Sequence, residues 1–231
     1  MIRKGLLLSL VPLGVIASAG VWGYTATEPG TQFPVHWGLD GRPDRFGNRF
    51  EAFFGLPLLA LGLTVMFAVL PALDPRGDNL RRSGPAYLTS WLGALALLAL
   101  VQLGMTLAAL GLWGLDDDRA FPRIVVVGLA LLLVAVGNVL GKARPNWFVG
   151  VRTPWTLTSD IAWDRTHRIS GRLLVLVGFA GLAAAVAPSS GLALGVLTAG
   201  TGAVAVFSLV YSYLVWRGAP DKRTGPQAVD R

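Results

Sequence analysis

Long uncharged runs alternate with short polar clusters along the whole chain, and six runs are long enough to cross a lipid layer as helices. The first five lie at about Gly5–Tyr24, Ala52–Leu73, Ala86–Trp113, Pro122–Gly141 and Leu173–Ala187, and the sixth at about Leu192–Trp216. At 1.5 Å per residue, about twenty residues span the ~30 Å hydrocarbon layer. From Leu173 to Trp216 there are 44 residues without one charge. As a single helix that run would extend about 66 Å, more than any bilayer holds. Pro188-Ser189-Ser190-Gly191 supplies the break. The fifth run is short, so its helix is expected to begin earlier, near Ser159 or Asp160, where either side chain can cap free N–H groups.

The intervals between runs differ in character. Residues Thr25 to Glu51 are rich in Pro, Gly, Asp and Asn, which marks turns rather than a long helix. Asp116-Asp117-Asp118 reads as a tight acidic turn, and the tail from Arg217 to Arg231 as mobile. Gln102, alone within the third run, is expected to face other helices, because an amide is costly against lipid. Gly191, Gly195, Ala199 and Ala203 recur every four residues and offer a stripe for close helix approach, although Ala and Gly are abundant here.

Composition sharpens this picture. The 231 residues are 53% hydrophobic and only 14% charged, against about one-quarter charged in a soluble domain. A net charge of +7 raises the question of nucleic acid. The basic residues sit at the ends of apolar runs, where the positive-inside rule puts them, so no nucleic-acid role is assigned. The chain has no cysteine, which excludes disulfides, thiolate metal sites and cysteine nucleophiles. The start, with Arg3, Lys4 and then Ala17-Ser18-Ala19, has the look of a signal peptide. Its uncharged run continues to Thr27, past Trp22 and Tyr24, which favours an uncleaved first helix. With six spans, one side of the membrane carries fifteen Lys and Arg and the other five. That asymmetry predicts both the N- and C-termini in the cytoplasm.

The longest polar interval, Gly137 to Arg172, holds Lys142, Arg144, Arg152, Arg165, Arg168 and Arg172 with Trp147, Trp155, Trp163 and His167. Its tryptophans suit an interface and could pin the loop flat on the inner leaflet, and each basic residue near anionic headgroups is worth about 1 kcal/mol. Pro145, Gly150 and Pro154 prevent one continuous helix. Asn138, Asn146, Thr153 and Thr156 offer side-chain hydrogen bonds to hold irregular backbone. Asp164 and Arg168 stand four apart and can pair, Trp163 and His167 share a helix face, and Arg165, Arg168 and Arg172 line one side. Plain anchoring, with Trp and Arg fixing the loop's depth, accounts for this composition as well.

The string GN-x6-PN-x3-GVRTPWTL-x5-W-x2-TH-x3-G resembles the SdpI-like immunity protein family, on residues from Gly137 and Asn138 through Arg152 and Trp155 to His167 and Gly171. The loop residues Pro34, His36, Trp37, Gly41, Pro43 and Asp44 resemble the PxHW…GxPD pattern of the N-terminal domain often found with that family. The resemblance implies a multi-pass protein of the bacterial cell membrane, linked to immunity against a secreted antimicrobial peptide toxin. It also implies, as a possible partner, a cytoplasmic transcriptional regulator drawn to the membrane.

Other chemistry finds little support. His36, Asp40 and Asp44 would form a metal-binding stripe on a helix, but Pro34, Gly38, Gly41 and Pro43 argue against a helix there, so no metal or cofactor is assigned. His167 with Asp164 and Thr166 is the only local trio for a hydrolase, and spacing alone makes no triad. No span carries an ionisable residue in its middle, against the habit of proton-coupled transporters. The reading is therefore an all-α, six-helix polytopic membrane protein. A two-helix unit, 1–73, carries the outer loop; a four-helix unit, 74–216, carries the cytoplasmic loop 142–172; a tail, 217–231, follows. The function expected is non-enzymatic immunity or signalling in the lipid bilayer. Ligand or partner contacts are expected at His36, Trp37 and Asp44 outside. Inside they are expected at Asn138, Asn146, Arg152, Thr153, Trp155, Thr156, Trp163 and His167. A transporter or a lipid or small-molecule enzyme with a site around Asn138, Asn146, Arg152 and His167 is the alternative.

Overall fold

A computed structural model describes residues 1–38, 40, 42–112, 120–187 and 190–223. In chain order the elements are α1 (Ile2–Ala26), β1 (Gln32–Trp37), β2 (Pro43–Asn48), α2 (Arg49–Leu73), α3 (Gly77–Arg82), α4 (Gly84–Ala109), α5 (Ala120–Leu140), α6 (Pro154–Leu157), α7 (Asp160–Ala185) and α8 (Ser190–Arg217). Among the described residues six helices are long and apolar enough to cross a membrane: α1, α2, α4, α5, α7 and α8. The fifth membrane helix does begin at Asp160, with Ser159 as its cap: Ala162 N–H donates to Ser159 Oγ at 3.0 Å. The third ends earlier than the apolar run suggests. Gly111 adopts φ +63°, and Leu112 N–H donates to Leu107 O at 3.0 Å, a glycine-closed helix end. Trp113 and the acidic turn Asp116–Asp118 lie outside the described residues.

The helices pack in two groups. Helix α1 lies against α4 and α2, α7 lies against α5 and α8, and α4 with α5 joins them. Ile16, Ala60, Leu80, Tyr87, Trp91 and Leu95 fill the first core, and Val126, Ala130, Ala193 and Leu197 the second. Outward faces carry exposed Leu10, Val11, Leu58, Leu176, Val206 and Leu214, as a surface solvated by lipid requires. Gln102 is fully buried and donates towards Thr106 Oγ1, whose hydroxyl donates to Ala19 O of α1 at 3.1 Å. It faces other helices, as expected. The small-residue stripe does not. Gly195, Ala199 and Ala203 are exposed, and α8 instead buries Ala193, Leu197, Val204, Ser208 and Ser212. The larger side chains of that second face interdigitate with α5 and α7, and the Ser208 and Ser170 hydroxyls meet at 2.6 Å.

Contacts gather the polar intervals at two opposite ends. At one, the N-terminus, α3, residues 141–157 and the chain after α8 pack together. Fourteen described Lys and Arg fall there, so we term it the basic end. At the other, β1 and β2 form an antiparallel hairpin, with Gln32 opposite Asn48 and bulges around His36. The turn-rich loop is thus a strand pair. Its strand pattern is weak in sequence, and tertiary packing of Phe33 on Phe53 and Trp37 on Phe121 holds it to the bundle. Arg49 ties the hairpin to α1: its guanidinium donates to Tyr24 O and Thr27 O, at 3.3 and 3.0 Å, and lies 4.1 Å over the Tyr24 ring.

Candidate functional site

At the hairpin end His36, Trp37 and Asp44 come together as the sequence suggests. His36 Nδ1 lies 2.6 Å from Asp44 Oδ1 across the strands, with both side chains more than half exposed. Trp37 packs its ring 4.9 Å from that of Phe121. On either side of it open two apolar cavities of about 260 and 270 Å³. Phe33, Phe53 and Met105 line the first, and Val125, Val126 and Leu194 the second. The hairpin therefore presents a polar rim over oily clefts, an arrangement that accepts an apolar side chain carried on a polar backbone.

At the basic end the arrangement is mostly internal bracing. Asn146 is fully buried and saturated. Its amide donates to Arg144 O and Val149 O at 2.8 and 3.0 Å, while its oxygen accepts from Phe148 N–H and Val149 N–H at 2.9 and 2.7 Å. Thr153 and Thr156 form a reciprocal capping box that starts α6 ahead of Pro154, and the Thr153 hydroxyl lies 3.0 Å from that of Ser212 on α8. Trp163 is fully buried; its indole donates to Ala143 O at 2.8 Å and its ring stacks on His167 at 4.0 Å. His167 is also fully buried. Val151 N–H donates to Nε2 at 2.9 Å, which places the ring proton on Nδ1, 2.8 Å from Trp163 O. Protonating Nε2 would set donor against donor. Gly150, at φ +118°, is the residue this approach requires, because a Cβ there would collide with the imidazole.

These positions correct several expectations. Asn146, Thr153, Thr156, Trp163 and His167, expected as partner contacts, are buried, with backbone and neighbouring side chains taking up their polar groups, and Asn146, Thr153 and Thr156 hold irregular backbone as their residue types suggested. Trp163 does not rest on a leaflet. His167 meets neither Asp164 nor Thr166, and Asp164 forms no ion pair with Arg168 among the described residues. Asn138 stands apart, exposed on α5. Of the loop residues singled out, Arg152 and Trp155 stay accessible. Arg152 is exposed and donates to Trp147 O at 2.9 Å; Trp155 is half-buried, edge-on to Tyr213 at 5.2 Å. The exposed row of Arg165, Arg168 and Arg172 is as expected.

Several bracing residues carry no sequence signal, because their partners are far along the chain. Trp147 N–H donates to the carboxylate of buried Asp74 at 3.1 Å, Asn79 to Pro145 O at 3.0 Å, and Arg76 to Leu157 O at 3.2 Å. The tail is not free up to Arg223: Ser159 Oγ–H and Ile161 N–H donate to Asp221 at 2.6 and 3.0 Å, and Arg223 N–H to Thr158 O at 2.9 Å. Burial alone would raise the Asp221 pKa, but these donors outweigh it and hold the carboxyl below its ordinary value.

Residues 142–212, which include the braced loop, match the SdpI/YfhL protein family. Over that stretch the chain is SdpI-like. Residues 13–61, with the hairpin at their centre, match a domain of unknown function (DUF1648). The SdpI-like chain is 26% identical over 170 residues to Immunity protein SdpI of Bacillus subtilis (strain 168), covering 74% of this chain and 75% of that protein. No solved structure matches it. With six apolar helices, it is a multi-pass bacterial membrane protein.

Proposed function

We propose that this SdpI-like protein is a non-enzymatic immunity and signalling protein whose hairpin end meets a secreted peptide toxin outside the cell. Its basic end faces the cytoplasm and presents Arg152, Trp155 and the neighbouring arginines to a regulator. Residues 1–73 form the toxin-facing unit and residues 74–216 the unit that carries the inner surface. One observation carries the reading: Asn146, Thr153, Thr156, Trp163 and His167 of the family motif are buried, and their polar groups are taken up within the chain. His167, the natural general base, has both ring nitrogens engaged by backbone. The clefts beside Trp37 are the surface suited to a peptide's apolar side chain. The similarity to Immunity protein SdpI supports an immunity role.

The test expresses the protein in a sensitive bacterium challenged with secreted membrane-active peptides. Wild type should protect, and Trp37→Ala should lose protection at unchanged membrane abundance. Absence of protection against every peptide, with turnover of a small molecule or lipid by the purified protein, would replace this reading with an enzymatic one.

A further inference from the structure

Helices α5 and α7 touch backbone to backbone at Gly137 and Gly171, where a Cβ on either would come within 2.6 Å of the other's carbonyl oxygen. Beside this contact, towards the basic end, lies an open groove of about 570 Å³. Asn138, Lys142, Arg168 and Arg172 line its polar part, and Val175 and Leu176 continue it into the apolar span. Among the described residues no carboxylate lines it. Lys142, Arg168 and Arg172 are exposed, and among the described residues none of their side chains has an ion-pair or hydrogen-bond partner. The Arg168 stem lies against Gly141, just past the end of α5, 3.2 Å from where a Cβ would stand, which sets the residue on the groove wall.

From this we propose that the groove is a binding site for the phosphate headgroup of one anionic phospholipid. Along α7 the lining runs 168, 172, 175, 176, a single helical face that passes from two guanidinium groups to bare hydrocarbon within about two turns. That is the order of groups along a phospholipid, from phosphate to acyl chain. Two arginines one turn apart can hold one phosphate between them, and Lys142 adds a third cation from the neighbouring helix end. The Asn138 amide lies at the same level, placed for a headgroup hydroxyl or ester carbonyl. Helix-end cations placed only by membrane topology need neither the groove nor the apolar continuation. Arg81 and Arg82, in the last turn of α3 at the basic end, provide that comparison.

The experiment is native mass spectrometry of the full chain in detergent, titrated with phosphatidylglycerol or phosphatidylcholine, with inorganic phosphate as competitor. Wild type should retain phosphatidylglycerol over phosphatidylcholine. Arg168→Gln with Arg172→Gln should lower that retention by about tenfold or more. Asn138→Trp, which fills the groove from an exposed position without changing charge, should lower it as well. Arg81→Gln with Arg82→Gln should leave it within about twofold. Equal retention of the two lipids, equal loss on removing Arg81 and Arg82, or full retention in Asn138→Trp would overturn the proposal. So would complete displacement by millimolar phosphate, which would mark a site for free phosphate.

Discussion

Replacing Gly150 with alanine strikes the point where the central loop rests on α7. Two costs follow from the geometry. The backbone at φ +118° lies outside the region an L side chain adopts, a strain of about 1–3 kcal/mol. The new methyl would also displace the His167 ring and break the Val151 N–H···Nε2 bond inside a buried site, about 1–3 kcal/mol more. Together they give about 2–6 kcal/mol. His167→Ala, which removes the ring stacked on Trp163 and both its hydrogen bonds, should cost about 2–5 kcal/mol. The two changes share the methyl–ring clash, so the double variant should cost about 1–3 kcal/mol less than the sum. Tryptophan fluorescence during SDS titration in mixed micelles reads all three, with the Trp163 ring stacked on His167 as the local reporter. A Gly150→Ala variant within about 0.5 kcal/mol of wild type, or strict additivity of the pair, would refute the reasoning.

Two further outcomes are expected. The Asp221 carboxyl is held below its ordinary pKa, so its contribution is complete above the unfolded carboxylate value and disappears as pH falls through the lower folded value. Hydrogen exchange at the Ile161 amide, corrected for intrinsic rate, should show that protection retained into mild acid and lost only below it, and reduced in Asp221→Asn wherever the wild-type carboxylate is ionised, with the two converging at lower pH. For orientation, single cysteines belong at exposed positions: Arg165→Cys should resist an impermeant thiol reagent on intact cells while Glu28→Cys reacts, and the reverse pattern would invert the proposed topology.

What the sequence alone determined is whatever depends on local pattern: the six spans, the break near Pro188, the Ser159 cap, and the inward-facing Gln102. Apolar length and a capping residue act within one or two helical turns, so neighbouring residues suffice to read them. The motif from Gly137 to Gly171 was legible as a motif, but its meaning was not. Asn146, Thr153 and Thr156 were legible as braces of irregular backbone, whereas His167 looks like a ligand in a polar string until the fold shows its ring held between Val151 N–H of the loop and Trp163 O of its own helix. Only tertiary structure could decide that, because a hydrogen bond across sixteen or seventy residues leaves no trace in local composition: His167 to Val151, Asp74 to Trp147. The same holds for the hairpin, whose strands form because Phe33 and Trp37 find Phe53 and Phe121. It holds too for the α5–α7 groove, which exists because two distant glycines let the helices meet.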